Sequence, residues 1–335
     1  MMPSETLHPW LEPAWRSLAS HIESDRIPHA LLIHGPAGIG KAGLAAQFAR
    51  KLLCTGIAPL ACGQCPSCHL FAADTHPDYQ RVGPEEPGKA IKVDAIRKLI
   101  NDLALKPQYG GYRIFVIDQA EQMNLSSANA LLKTLEEPAE RTLLLLVTHR
   151  PSRLPPTILS RCQKLTLRPP KVDEALRWLE AQRPGCSAEV LLSAAGGSPL
   201  RALALAATDV VERRQQVFRE FTAVLGRRQD PVRVAERWHG QTHEECIDWM
   251  ASWVTDLIVL VMAPAGRRVR NTDFLPQLGK LAEPLSARRL IDFRDELMKT
   301  RQALGGQANR QLLLEEALIR WSRIGQRMPQ GRVER

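Results

Sequence analysis

Ala30-Leu31-Leu32-Ile33-His34-Gly35-Pro36-Ala37-Gly38-Ile39-Gly40-Lys41-Ala42 decides the fold. The run from His29 to His34 is apolar enough for a buried strand, and it empties into a glycine-rich turn, a lysine and a helix reaching Leu53. Backbone N–H groups in such a loop, with the positive end of the helix dipole behind them, suit a phosphate. The motif asks for a hydroxyl after the lysine, because that oxygen ligates the magnesium between the β- and γ-phosphates. Here the residue is Ala42, which offers only a methyl. The chain is therefore expected to have a nucleoside-triphosphate fold with a damaged metal site.

Strands and helices alternate outward from this stretch. A short strand is predicted around Asp78 to Val82, after a cysteine-rich insert, and an exposed turn over Gly83 to Lys89. Val93, Ile96, Leu99, Ile100 and Leu103 mark one face of a helix, and Gly110-Gly111 breaks the chain before the strand Arg113 to Asp118. A helix over about Ser126 to Glu137 ends at Pro138, followed by the apolar run Thr142 to Thr148 and a last strand over Gln163 to Leu167. Near-continuous apolar strands alternating with helices predict an α/β domain with a parallel sheet covered on both faces.

Beyond Pro169-Pro170 every periodic segment is helical. Short helices reach Ala207, with Ser198-Pro199 placed as an N-cap and first helical residue. From Asp209 the helices lengthen. Val210, Val211, Phe218, Phe221, Val224 and Leu225 stripe the first, and Leu312, Leu313, Leu314, Leu318 and Ile319 the last. Trp249, Trp253 and Trp321 are expected in the core.

A chain of 335 residues with 44% apolar content can bury a large core and split into two or three domains. Its polar start, Met1 to Leu7, is unlike a signal peptide, and the longest apolar run, Leu257 to Pro264, is too short for a bilayer. A soluble, cytoplasmic protein with no membrane partner is expected. The net charge of +9 is spread along the chain, with no basic tail or arm. Such a spread permits contact with nucleic-acid phosphates without indicating it.

Cys54, Cys62, Cys65 and Cys68 give C-x7-C-x2-C-x2-C inside a loop rich in Gly, Pro and Ser. Four thiolates at this spacing match a closed, structural Zn²⁺ site, with no coordination position left for catalysis. Cys162, Cys186 and Cys246 are isolated and expected to be inert. In Ile114 to Gln119, a hydrophobic strand ending in Asp118 places a carboxylate near the metal of a phosphate-loop enzyme. Glutamate usually follows as the base that polarises water. Gln119 cannot take that proton, and Glu121, two residues on, is expected to point elsewhere.

Several motifs then occur in one order: Gly35 to Lys41, the cysteine cluster, Asn129 to Pro138, Ser160-Arg161-Cys162 and Gln311 to Glu316. That order resembles the bacterial clamp-loader subunits of the AAA+ class, over about Pro9 to Trp321. The resemblance implies an AAA+ domain with a zinc module (about 54–68) over residues 1–166, a small helical lid over 167–207 and a helical collar over 208–335. It also implies a degenerate nucleotide site formed by Gly35, Gly38, Gly40, Lys41, Asp118, Thr148 (a γ-phosphate sensor) and Arg201 (a lid arginine). Arg161 matches the arginine finger that reaches a neighbouring subunit's ATP. Ala42 and Gln119 depart from the hydrolysing members, so the cradle allows ATP to bind but not to turn over. The implied partners are the gamma/tau motor subunits and the delta subunit, with the sliding clamp and primer-template DNA in the assembled complex. Two other functions compete: a gamma/tau-type motor, opposed by Ala42 and Gln119, and a zinc-stabilised nucleic-acid-binding module, opposed by the dispersed charge.

Overall fold

The computed structural model describes residues 7–325 except 87, 104, 110, 184–186, 241–242, 264–268 and 305–307. Met1 to Thr6, Gly110, Cys186 and Pro264, all read above, lie outside the described residues. The chain divides into two compact units, Met1–Glu174 and Ala175–Arg335.

The first unit is built on β1 (Ala30–His34), β2 (Tyr79–Val82), β3 (Arg113–Ile117), β4 (Thr142–Thr148) and β5 (Gln163–Thr166). These form one sheet in the order β2-β3-β4-β1-β5, and every pair is parallel, as the alternation of strands and helices predicts. Its helices are α1 (Glu12–Glu23), α2 (Lys41–Leu53), α3 (Pro66–Ala72), α4 (Val93–Leu103), α5 (Leu125–Glu136) and α6 (Pro156–Leu159). All seven residues of β4 are buried because strands flank it on both edges and helices cover both faces. The edge strand β5 is mostly exposed and carries polar Gln163 and Lys164.

Side chains alternate across each strand, so Leu32, Phe115, Ile117, Leu144 and Leu146 share one face. There they pack with Ile96, Leu99 and Leu103 of α4 and Ala128, Leu131 and Leu135 of α5. Helix α2 packs against β1, β3 and β4, burying Leu44, Ala45, Phe48 and Ala49. Helix α5 starts where Asn124 accepts the Ser127 N–H at 2.8 Å, and the Ser127 hydroxyl donates to the Ile91 carbonyl.

Helix α7 (Val172–Gln182) runs from the end of the first unit into the second, which is helical: α8 (Ala188–Ala194), α9 (Pro199–Leu205), α10 (Val210–Leu225), α11 (Pro231–His239), α12 (His243–Met262), α13 (Leu275–Ala282), α14 (Ala287–Leu304) and α15 (Arg310–Ile324). One apolar core runs from Ala175 to Trp321, with Phe218 stacked on Phe274 at 3.8 Å and Phe221 on Trp321 at 4.2 Å. The three tryptophans expected inside are buried. Ser198 caps α9 as expected, accepting the Arg201 N–H at 3.4 Å. The leucine run at the start of α15 divides: Leu314 is buried, whereas Leu312 is 60% exposed. At about 100° per residue three successive leucines cannot share a face, and the buried stripe is Leu314, Ala317, Leu318 and Trp321.

A polar hub lies within this core. Arg214 is 1% exposed and ion-pairs with Asp273, donates to Asn271 Oδ1 at 2.5 Å and Ser193 Oγ at 3.1 Å, and lies 4.7 Å from the Phe274 ring centroid. Asn271 in turn donates to Asp256 and Ser252 of α12.

Candidate nucleotide and metal sites

The phosphate loop keeps its backbone. A Cβ on Gly35 (φ 151°) would lie 2.3 Å from the Leu167 carbonyl oxygen, so no side chain fits there. Gly38 (φ 68°) and Gly40 (φ 94°) turn the chain through the left-handed region into α2. Lys41 is 8% exposed, and its Nζ donates to the carbonyls of Gly35 at 2.9 Å and Pro36 at 2.5 Å. Burial lowers its pKa to about 8, against the opposing pull of the Glu121 and Asp118 carboxylates.

Asp118 stands at the end of β3, where the sequence places it. Its Oδ2 is ion-paired with Arg81 Nη2, and its Oδ1 accepts the Gln119 N–H at 3.0 Å. Gln119 is left-handed (φ 51°, ψ 50°), and a single 3-10 turn, Ala120–Gln122, follows at once. That turn corrects the expectation for Glu121. Instead of pointing elsewhere, Glu121 is 5% exposed and ion-paired with His149 Nδ1, with the Thr148 hydroxyl beside it. These partners hold its pKa below the usual carboxylate value although burial pushes the other way. Thr148 itself is 1% exposed, and its Oγ1 accepts the Arg150 N–H at 3.1 Å.

Asp118 is thus joined by Arg81, and Thr148 by Glu121 and His149; Arg81 and His149 were not named from the motifs. Arg81 had a signal in the strand register. It pairs with Val116, so Asp118, two residues further, emerges on the same face. The residues do not fit a bound magnesium ion. Ala42 supplies no hydroxyl, and the Asp118 carboxylate is already engaged on both oxygens.

The cysteine cluster forms at the other end of α2. Cys54 is the extended C-cap of that helix, and Lys51 in its last turn donates to the Gly56 carbonyl at 2.9 Å and to that of Ala58. Cys65 caps α3, accepting the Cys68 N–H at 3.4 Å, with Pro66 at the first helical position. The ligand atoms of Cys54, Cys62, Cys65 and Cys68 all lie within 4.8 Å of one another. Cys54 Sγ is 3.5 Å from Cys62 Sγ and 3.9 Å from Cys65 Sγ. A tetrahedron with Zn–S bonds of about 2.3 Å has edges of about 3.8 Å, so the donor set fits that ion. The N–H groups of Gly56 and Cys62 point at Cys54 Sγ, each at 3.2 Å, and fix the position of that sulfur. Cys162 and Cys246 are buried and apart from this cluster, and burial pushes their thiols up to about 11 and 12.

Arg161 follows α6 with its side chain 35% exposed. Its Nη2 meets Glu136 Oε1 at 2.6 Å and its Nη1 donates to the Thr157 carbonyl at 2.9 Å. Arg201 belongs to the helical unit, where it faces Glu245 at 3.7 Å and Asp248 at 3.8 Å on α12.

Comparison with known proteins agrees with this geometry. A family model described as DNA polymerase III, delta subunit, matches residues 10–171, and one for its C terminal matches 208–323. The chain is 36% identical to DNA polymerase III subunit delta' of Pseudomonas aeruginosa over 324 residues, covering 95% of this chain and 98% of that one. It is 32% identical to the subunit delta' of Escherichia coli, covering 93% and 94%. DNA polymerase III subunit tau of Escherichia coli is 34% identical over 63% of this chain and 34% of its own. The chain belongs to the DNA polymerase III delta-prime subunit family.

Proposed function

We propose that this chain is the non-hydrolysing member of a clamp loader, which holds the ring together and lends Arg161 to a neighbour's ATP while a sliding clamp is placed on primed DNA. The observation that carries this function is a contrast within one unit. Ala42 and Gln119 stand where hydrolysis needs a hydroxyl and a base, yet Arg161 is kept at the surface on Glu136 and the Thr157 carbonyl. A guanidinium is planar and permanently charged, which suits charge developing on a transferring phosphoryl group. The likeness to tau supports gamma/tau-type subunits as neighbours, with delta, the clamp and primer-template DNA joining in the full complex. Among the described residues no helix is long and apolar enough to cross a membrane.

In this role residues 1–166 form the AAA+ domain, 167–207 a lid and 208–335 a collar. Gly35, Gly38, Gly40, Lys41, Asp118 and Thr148 are the remains of a nucleotide site, and Arg201 is the lid arginine of the helical unit. Cys54, Cys62, Cys65 and Cys68 hold a structural Zn²⁺ that braces the insert between α2 and β2.

The test is Arg161→Ala in a loader reconstituted with gamma/tau and delta. Arginine fingers acting in trans are worth ~10³–10⁵ in rate in GTPases, and several sites share the loader's total turnover. Clamp- and DNA-stimulated ATPase should fall and clamp loading slow, with assembly and zinc content unchanged. Full activity in that complex, or ATP turnover by the isolated wild-type chain that Lys41→Ala abolishes, would overturn the assignment.

A further inference from the structure

The Asp118 carboxylate has acquired a resident cation. Register places Arg81 and Asp118 on one face of the sheet, and their side chains meet as an ion pair. A groove of about 480 Å³ opens on that face beside α2, with Gln47, Arg50, Phe71 and Tyr79 among its walls. Arg81 lies at its edge with its side chain 43% exposed, while the Asp118 side chain is only 16% exposed. The Gln119 N–H takes the other carboxylate oxygen, and Gln119 cannot itself add negative charge. Buried Lys41 turns its Nζ onto the Gly35 and Pro36 carbonyls, and His149 closes on Glu121. Arg81 therefore balances the Asp118 carboxylate with a side chain of this chain alone.

We propose that Arg81 takes the place of the divalent metal at this site, so that the phosphate loop of this chain is indifferent to magnesium. A guanidinium cannot be deprotonated in the working pH range and donates in a planar fork that fits a carboxylate. A divalent ion brought to Asp118 would have to displace Arg81 from the carboxylate oxygen that it holds. Any polyphosphate held here would rest on the loop amides and Lys41, with or without metal. Ala42→Thr alone, the substitution that restores the motif, would then be insufficient to restore magnesium dependence.

This inference rests on the non-hydrolysing role proposed above, and the two fail in different experiments. ATP turnover by the wild-type chain sinks the role. The inference is tested by ATP titration, with magnesium and in magnesium-free buffer without chelator, of the full zinc-loaded chain carrying Ala42→Thr, alone or with Arg81→Ala. The Ala42→Thr protein should show the same affinity in both media. The Ala42→Thr/Arg81→Ala protein should bind about tenfold or more tightly with magnesium than without it. Arg81→Lys, which keeps the charge, should behave like Ala42→Thr alone, and Arg81→Gln like Arg81→Ala. Magnesium-dependent binding by Ala42→Thr alone would overturn the inference whatever the Arg81 variants do. So would equal affinities in the two media, or no measurable binding, when folded Ala42→Thr protein carries Arg81→Ala or Arg81→Gln.

Discussion

Helix α2 has a site at each end, and the two have kept different things. At Gly40 and Lys41 the backbone of a phosphate loop survives in detail, while the side chains that would do chemistry there are gone or engaged elsewhere. At Cys54 the backbone is irregular and the side chains are complete, with every sulfur within reach of one ion. The difference lies in what each site is made of. Gly35 must remain a glycine because the Leu167 carbonyl leaves no room for a Cβ, a constraint that owes nothing to nucleotide. A magnesium hydroxyl or a catalytic carboxylate has no such second duty, so its loss does not disturb the fold. The four cysteines would have one: Ile57 and Leu60 of the insert are exposed, so a metal ion on those sulfurs would be what holds it.

Disrupting the proposed zinc site should have the largest effect. Cys65→Ser is expected to lower the metal content from about one zinc per chain to none and to cost on the order of 3 kcal/mol, a fall in melting temperature of roughly 6–12 °C. Far-UV circular dichroism should show most helices intact. Protein prepared without chelator that holds no zinc, with four freely titrating thiols, would break the comparison at this end.

The other end is sharpened by two glycines at positive φ. Gly35→Ala drives a methyl into the Leu167 carbonyl and should cost about 1–3 kcal/mol in urea unfolding. Gly88→Ala, at φ 81° but facing open space, should cost about 1 kcal/mol from backbone strain alone. Equal losses would mean that the Leu167 contact is not what preserves the loop.

The smallest effect is a pH dependence at Lys41. Its folded pKa of about 8 lies below that of an exposed lysine, so between the two values the unfolded chain binds more protons. Stability should therefore rise with pH through that window. Relative to Lys41→Met, the wild-type chain should gain about 1 kcal/mol between pH 7.5 and 9.5 after allowance for solvent near the amine. A flat difference would show that Lys41 is no more buried in solution than an ordinary lysine.

Much of this was legible in the chain itself. The central strands are continuous apolar runs because both faces are covered, and that pattern gave the sheet. The cysteine spacing gave the donor set. Arg81 was hidden because its meaning depends on which strand lies beside β3, a long-range fact. Glu121 was misplaced because a left-handed Gln119 reverses the chain, and glutamine gives no warning of positive φ as glycine would. In the helical unit the period of the stripes identified the buried faces, but three consecutive leucines at Leu312 overstated how much one face can bury.

The Arg214 hub bears on how the helical unit responds to load. It joins Ser193 of α8, α10 itself, Asp273 and Asn271, and through Asn271 reaches Ser252 and Asp256 of α12. Swinging the helices of residues 175–205 against those that follow would strip a buried guanidinium of partners on opposite sides, and removing one partner from such a buried pair costs about 3–5 kcal/mol. The unit should therefore behave as a bracket rather than a hinge, the amides of Ser193, Arg214 and Asn271 exchanging with solvent together, and a pull applied at α8 would be shared with α12.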